Sequence, residues 1–133
     1  MATTEAEGPR LQTDSLGGVH WLGILAALVS AGIHLLLGIR MLPSGMGISF
    51  VLAGLGFLGA IGLVLVGYRR RTVYAAGIPF VAVQIVLWFV LNFVTGPKSF
   101  PGEIGAIGAL DKIAQFVLLG VLITLLRPGS SRS

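Results

Sequence analysis

Cysteine is absent from this chain, which excludes disulfides, thiolate metal sites and cysteine nucleophiles. Charge is scarce: only 11% of the residues are Asp, Glu, Lys or Arg, where a soluble domain carries about 25%. The motifs of several chemistries are also missing. There is no HExxH, no G-x-S-x-G, no aspartate-rich metal loop, and no glycine loop between a strand and a helix. Inverted repeats and broken helices, the marks of secondary transporters, do not appear. No catalytic residue, metal site or cofactor is therefore predicted.

What is present is apolar. Of 133 residues, 55% are hydrophobic, and the mean hydropathy is +0.95. In water such a chain would leave too much apolar surface exposed, so lipid is the expected solvent. The length leaves no room for a second domain. A net charge of +4 and a pI near 10.4 could suggest nucleic acid. The basic residues, however, stand at the ends of apolar runs, where they set topology instead. Twenty glycines are about twice the usual share of roughly 7%. Membrane helices tolerate glycine and use it to approach one another closely.

Four runs are long enough to cross about 30 Å of hydrocarbon: residues 19–39, 47–68, 73–95 and 104–126. Arg40 and the turn Leu42-Pro43-Ser44-Gly45 close the first run, with Ser44 a candidate cap for the second. Arg69, Arg70 and Arg71 end the second run, Gly96-Pro97 breaks the third, and Arg127-Pro128-Gly129 closes the fourth. Pro79 is expected to kink the third helix. Residues 1–17 are polar and are expected to form a flexible tail. They lack the basic start of a signal peptide. Residues 18–127 form the transmembrane domain, and residues 128–133 a short tail. The fold expected is all-α, a polytopic membrane protein with four helices in an up-down-up-down bundle.

One side of this bundle would hold Arg10, Arg69, Arg70, Arg71, Arg127 and Arg132, and the other Arg40 and Lys98. By the excess of basic residues on the inner side, the location expected is the cell membrane with both termini cytoplasmic. Trp21, Tyr68 and Tyr74 are candidate interfacial anchors.

Small residues suggest packing faces. Gly56, Gly59, Ala60 and Gly62 cluster on the second helix, either for packing within the bundle or for a homodimer. On the first helix Ala26, Ser30, His34 and Gly38 recur every four residues and form a stripe expected to face another helix.

Polar groups at membrane depth are costly and need partners. His34, Gln84, Asn92, Asp111 and Gln115 are such groups, with Ser30 a bridging candidate. His34 and Asp111 both fall about 8–10 Å below the same boundary, counted at roughly 1.5 Å per residue. They are the pair expected to meet, in a cluster that fixes helix register or relays a proton or cation. Lys112 points about 100° away from Asp111 around the helix. Its stem is expected to snorkel outward or to neutralise Asp111 or Glu103.

His20 and His34 stand 14 residues apart on one face. This spacing resembles the paired haem-ligand histidines of b-type cytochromes, and a homodimer would be needed to complete the ligation. The segments GVHWLGILAALVSAGIHLLLG and ALDKIAQFVLLGVLITLL carry a second resemblance. They resemble the uncharacterised small four-helix membrane proteins of halophilic archaea, which implies a membrane location and no mechanism.

The function expected is that of a non-catalytic binding, assembly or accessory subunit. Its partners are the lipid bilayer and a second copy or another membrane protein, with no nucleic acid. Two other classes are a small homo-oligomeric transporter or channel using the polar cluster, and a homodimeric haem protein for electron transfer through His20 and His34.

Overall fold

The computed structural model describes residue 11, residues 13–96 and residues 105–127. The connecting loop with Lys98 and Glu103, the terminal arginines Arg10 and Arg132, most of the N-terminal tail and the C-terminal tail lie outside the described residues. Four helices follow in order: α1 (Gly18–Met41), α2 (Gly45–Leu65), α3 (Arg70–Phe89, continued by a π-helical turn over Val90–Val94) and α4 (Ala106–Leu126). All four are long and apolar enough to cross a membrane, and no strand occurs among the described residues.

The turn between α1 and α2 is built as its residues suggest. Ser44 Oγ accepts from Gly47 N at 3.0 Å and donates to Met41 O at 2.6 Å. One hydroxyl thus satisfies an orphan donor of α2 and an orphan acceptor of α1.

The next turn differs from the expectation. α2 ends at Leu65 and α3 starts at Arg70, so two of the three arginines belong to a helix. The chain reverses through Gly67 (φ 73°) and Arg69 (φ 49°), left-handed conformations that glycine adopts without steric cost. Arg70 is buried, its Nε donating to Val64 O at 2.9 Å and its Nη1 to Ser15 Oγ at 2.6 Å. Arg71 Nη2 donates to Leu126 O at 3.3 Å. The guanidinium groups satisfy carbonyls at the C-termini of α2 and α4, where the helix dipole also favours a cation. The tail expected to be loose through residue 17 is folded from Thr13 onward. A 3-10 turn over Thr13–Ser15 brings Leu16 into the core and Ser15 onto Arg70.

Helix α1 lies between α2 and α4, α3 packs on α4, and α2 meets α3 sparsely. The stripe Ala26, Ser30, His34 and Gly38 is buried throughout. A Cβ on Gly38 would stand 2.8 Å from the backbone nitrogen of Val51, so only glycine lets α1 and α2 come this close. The buried face of α2 is Gly47, Gly54, Phe57, Ile61 and Val64, a seven-residue repeat directed at α1. It is not the face marked by Gly56, Gly59, Ala60 and Gly62. A Cβ on Gly59 or Gly62 would meet no heavy atom within 4 Å, the atoms nearest a Cβ on Gly56 belong to the Phe80 ring, and Ala60 is half-buried. Spacing by three or four recurs on several faces of a glycine-rich helix, and the larger side chains Phe57, Ile61 and Val64 select the one that packs. α3 runs through Pro79 as continuous helix.

Candidate functional site

Three helices contribute polar side chains to one buried cluster. Ser30 and His34 come from successive turns of α1, Gln84 from α3, and Asp111, Lys112 and Gln115 from α4. Ser30 and Gln115 are fully buried, and His34, Asp111 and Lys112 nearly so.

The centre is Asp111. Ser30 Oγ donates to its Oδ1 at 2.6 Å, and Lys112 Nζ donates to its Oδ2 at 2.9 Å. Lys112 also donates to Gln115 Oε1 at 2.6 Å. The amide of Gln115 then donates to Gln84 Oε1 at 3.0 Å and, more loosely, to Ser30 Oγ at 3.4 Å. Gln84 completes the chain by donating to Phe80 O at 3.0 Å. His34 Nδ1 lies 2.9 Å from Ser30 O, 3.4 Å from Ser30 Oγ and 3.8 Å from Asp111 Oδ1. The structure therefore brings His34 and Asp111 together, with Ser30 between them as the hydrogen-bonded link.

Of the two alternatives for Lys112, the outward one does not hold and the neutralising one does: the side chain is buried and is the direct ion-pair partner of Asp111. The two Cα–Cβ bonds do diverge by about 100°, but the four-carbon stem curls back across the helix. The signal was present, because Lys112 and Gln115 are three residues apart and share a face. Asn92 does not join the cluster. Its Nδ2 donates to Trp88 O at 2.8 Å on its own helix, the local bond that short amide side chains form in competition with longer contacts. The π-helical turn at Val90–Val94 carries it there, with Thr95 N reaching back to Val90 O at 2.8 Å.

The cluster stands at the wall of a cleft of about 1060 Å³ between α2 and α3. Phe50 and Ala53 of α2 form one side, Leu87, Trp88 and Leu91 of α3 the other, with His34, Asp111 and Lys112 at its polar end. The His34 ring packs against Phe50 and Phe57, at 5.1 and 5.7 Å between centroids. Lys112 Nζ lies 5.4 Å from the centroid of Trp88, within cation–π range.

A second, smaller cavity of about 70 Å³ lies towards the N-terminal end of α1, lined by His20, Tyr74 and apolar residues. His20 Nδ1 accepts from Gly17 N at 3.0 Å, closing the first turn of α1. Tyr74 is buried with its hydroxyl unpaired, so it is not the interfacial anchor expected, whereas Trp21 and Tyr68 are exposed. His20 and His34 are both buried within one bundle. A histidine from a second copy would have to enter that core to complete haem ligation. No group of three or more His, Cys, Asp or Glu forms among the described residues.

The chain belongs to a family of unknown function (DUF7475), which matches residues 6–126. No curated protein and no solved structure matches it.

Proposed function

Starting from a family that carries no assigned activity, we propose that the protein is an integral membrane protein with a non-catalytic role, binding a small amphiphilic molecule in the cleft between α2 and α3. The observation that carries this reading is the cleft itself. Its volume of about 1060 Å³ is that of a small-molecule site, typically about 300–1,000 Å³ with apolar walls and few convergent polar groups. The exposed faces of the helices bear large apolar residues such as Leu25, Leu52, Val86 and Ile123, which suits lipid contact. In this reading the chain lies in the cell membrane with both termini cytoplasmic, and the Arg70 and Arg71 end of the bundle faces inward.

Native mass spectrometry of the detergent-released protein tests this. The wild type should retain a non-covalent adduct, and Ala53→Phe, which fills the cleft from the α2 side, should lose it. A wild-type protein that carries no adduct and takes up none of the lipid-soluble compounds offered to it refutes the reading. Cysteine labelling at Ser44 and at Arg69 tests orientation, since only the Ser44 position should react from outside.

A further inference from the structure

We propose that the ligand of the cleft is an uncharged amphiphile with a hydroxyl headgroup, which donates to His34 Nε2 and accepts from Lys112 Nζ. This rests on the reading of the cleft as a binding site and specifies its ligand class.

The first step is the tautomer of His34. Its Nδ1 lies 2.9 Å from Ser30 O, and a carbonyl oxygen can only accept, so Nδ1 carries the hydrogen. In the neutral ring Nε2 is then an acceptor. Among the described residues every polar contact of His34 is made through Nδ1. Nε2 is free in a side chain that lines the cleft.

The second step is the count of hydrogens on Lys112. An ammonium group has three. Asp111 Oδ2 and Gln115 Oε1 take two of them, and the third is left on the side of Trp88, a wall of the cleft. Other floor hydrogens are committed: the Ser30 hydroxyl to Asp111, and both amide hydrogens of Gln115 to Ser30 and Gln84. At the end of the cleft between His34 and Lys112 the lining thus presents one acceptor and one donor, while Ser49, Gln84, Trp88 and Asn92 supply further polar groups along the walls. A hydroxyl group is the smallest headgroup that satisfies both.

The third step is charge. Asp111 and Lys112 neutralise each other at 2.9 Å. A carboxylate ligand would place a second anion beside Asp111, and an amine a second cation beside Lys112. Either would leave water without gaining a counter-ion, which is strongly unfavourable. The apolar walls of Leu37, Phe50, Leu87, Leu91 and Ile107 then cover the tail.

The chain has two tryptophans, and Trp21 is exposed outside the cleft. In Trp21→Phe the emission of Trp88 therefore reports on the cleft alone. This variant, purified into phosphatidylcholine nanodiscs at pH 8, is titrated with dodecan-1-ol, dodecanoate and dodecylamine. Dodecan-1-ol should shift the emission saturably, with the acid and the amine at least ten-fold weaker. His34→Phe and Lys112→Met should each weaken the alcohol about ten-fold. Tightest binding of the acid or the amine, or equal binding of all three, overturns the headgroup assignment and leaves the binding site standing. Saturation by none of them overturns the binding site itself. The selectivity series needs no floor variant, so it decides the question even where Lys112→Met does not fold.

Discussion

The sharpest perturbation is to remove one charge of the buried pair. Asp111 and Lys112 are more than nine-tenths buried, and their atoms stand 2.9 Å apart. In Asp111→Asn the amide oxygen can still accept from Ser30, whose hydroxyl now bonds Asp111 Oδ1 at 2.6 Å. Lys112 loses its counter-charge and keeps only Gln115 Oε1. Removing one partner of a buried pair costs about 3–5 kcal/mol. A lone Lys at the centre of a transmembrane helix costs roughly 2.5–3.5 kcal/mol by insertion measurements, and one nearer the boundary, as Lys112 is, costs less. A loss of about 3 kcal/mol, the low end for a broken buried pair, is expected. Lys112→Met, which leaves the carboxylate with the Ser30 hydrogen bond and the more distant His34 ring, should cost a similar amount. The double variant restores charge balance. It should cost much less than the sum, with a coupling of about 2–3 kcal/mol at the upper end for contacting residues. The assay is a double-variant cycle on reversible unfolding in bicelles. Single variants that each lose under about 1 kcal/mol and add without coupling would show that water reaches the pair, and the site would not be the closed cluster described.

Arg70→Ala should lose about 2–3 kcal/mol, because charge-assisted bonds to Val64 O and Ser15 Oγ disappear together; limited proteolysis should then cut near Thr13. Gly54→Val should destabilise by at least about 1–3 kcal/mol, since even a Cβ there falls 2.6 Å from Leu35 Cγ; thermal unfolding in detergent reads this. Gly62→Ala, with open space at its Cβ, should be neutral or gain up to about 1 kcal/mol, and a large loss would show that this face packs on something. Ser44→Ala should cost about 0.5–2 kcal/mol through the lost cap, measured in the same unfolding assay.

Helix number, the buried stripe of α1 and the Ser44 cap were legible because each depends on local pattern: run length, spacing by four, a hydroxyl before a helix. The meeting of Ser30, His34 and Asp111 followed from depth, which counting residues along a straight helix gives directly. What pattern could not supply was side-chain reach. Lys112 curls back on its neighbour, Asn92 folds onto Trp88 O, and Arg70 spans to α2 and the N-terminal turn. Hydropathy treats an arginine as the end of a run, yet at the start of α3 it caps the end of another helix. The packing face of α2 was missed for a related reason. Glycines were weighed for what they permit, while Phe57, Ile61 and Val64 determine which side is buried.

The distribution of polar contacts explains why the cleft lies where it does. The network ties α1, α3 and α4 together through Ser30, Asp111, Gln115 and Gln84. α2 contributes no side chain to it. Among the described residues, the hydrogen bond between α2 and α3 is that of Arg70 with Val64 O, at the end where the two helices join. Further along, Phe80 lies edge-on to Phe57 at 5.1 Å and touches Gly56, contacts of dispersion alone. Separating α2 from α3 beyond this point breaks no directional bond, whereas separating α3 from α4 would break the bond from the fully buried Gln115 to the half-buried Gln84, and a buried amide left unpaired costs about 1–3 kcal/mol. The bundle is therefore closed at its arginine end and packed along its α1 seams, and opens at the sparsely packed α2–α3 seam, which beyond Arg70 is held without hydrogen bonds. The polar floor lies beneath that opening because the three helices that stay together are the three that carry it.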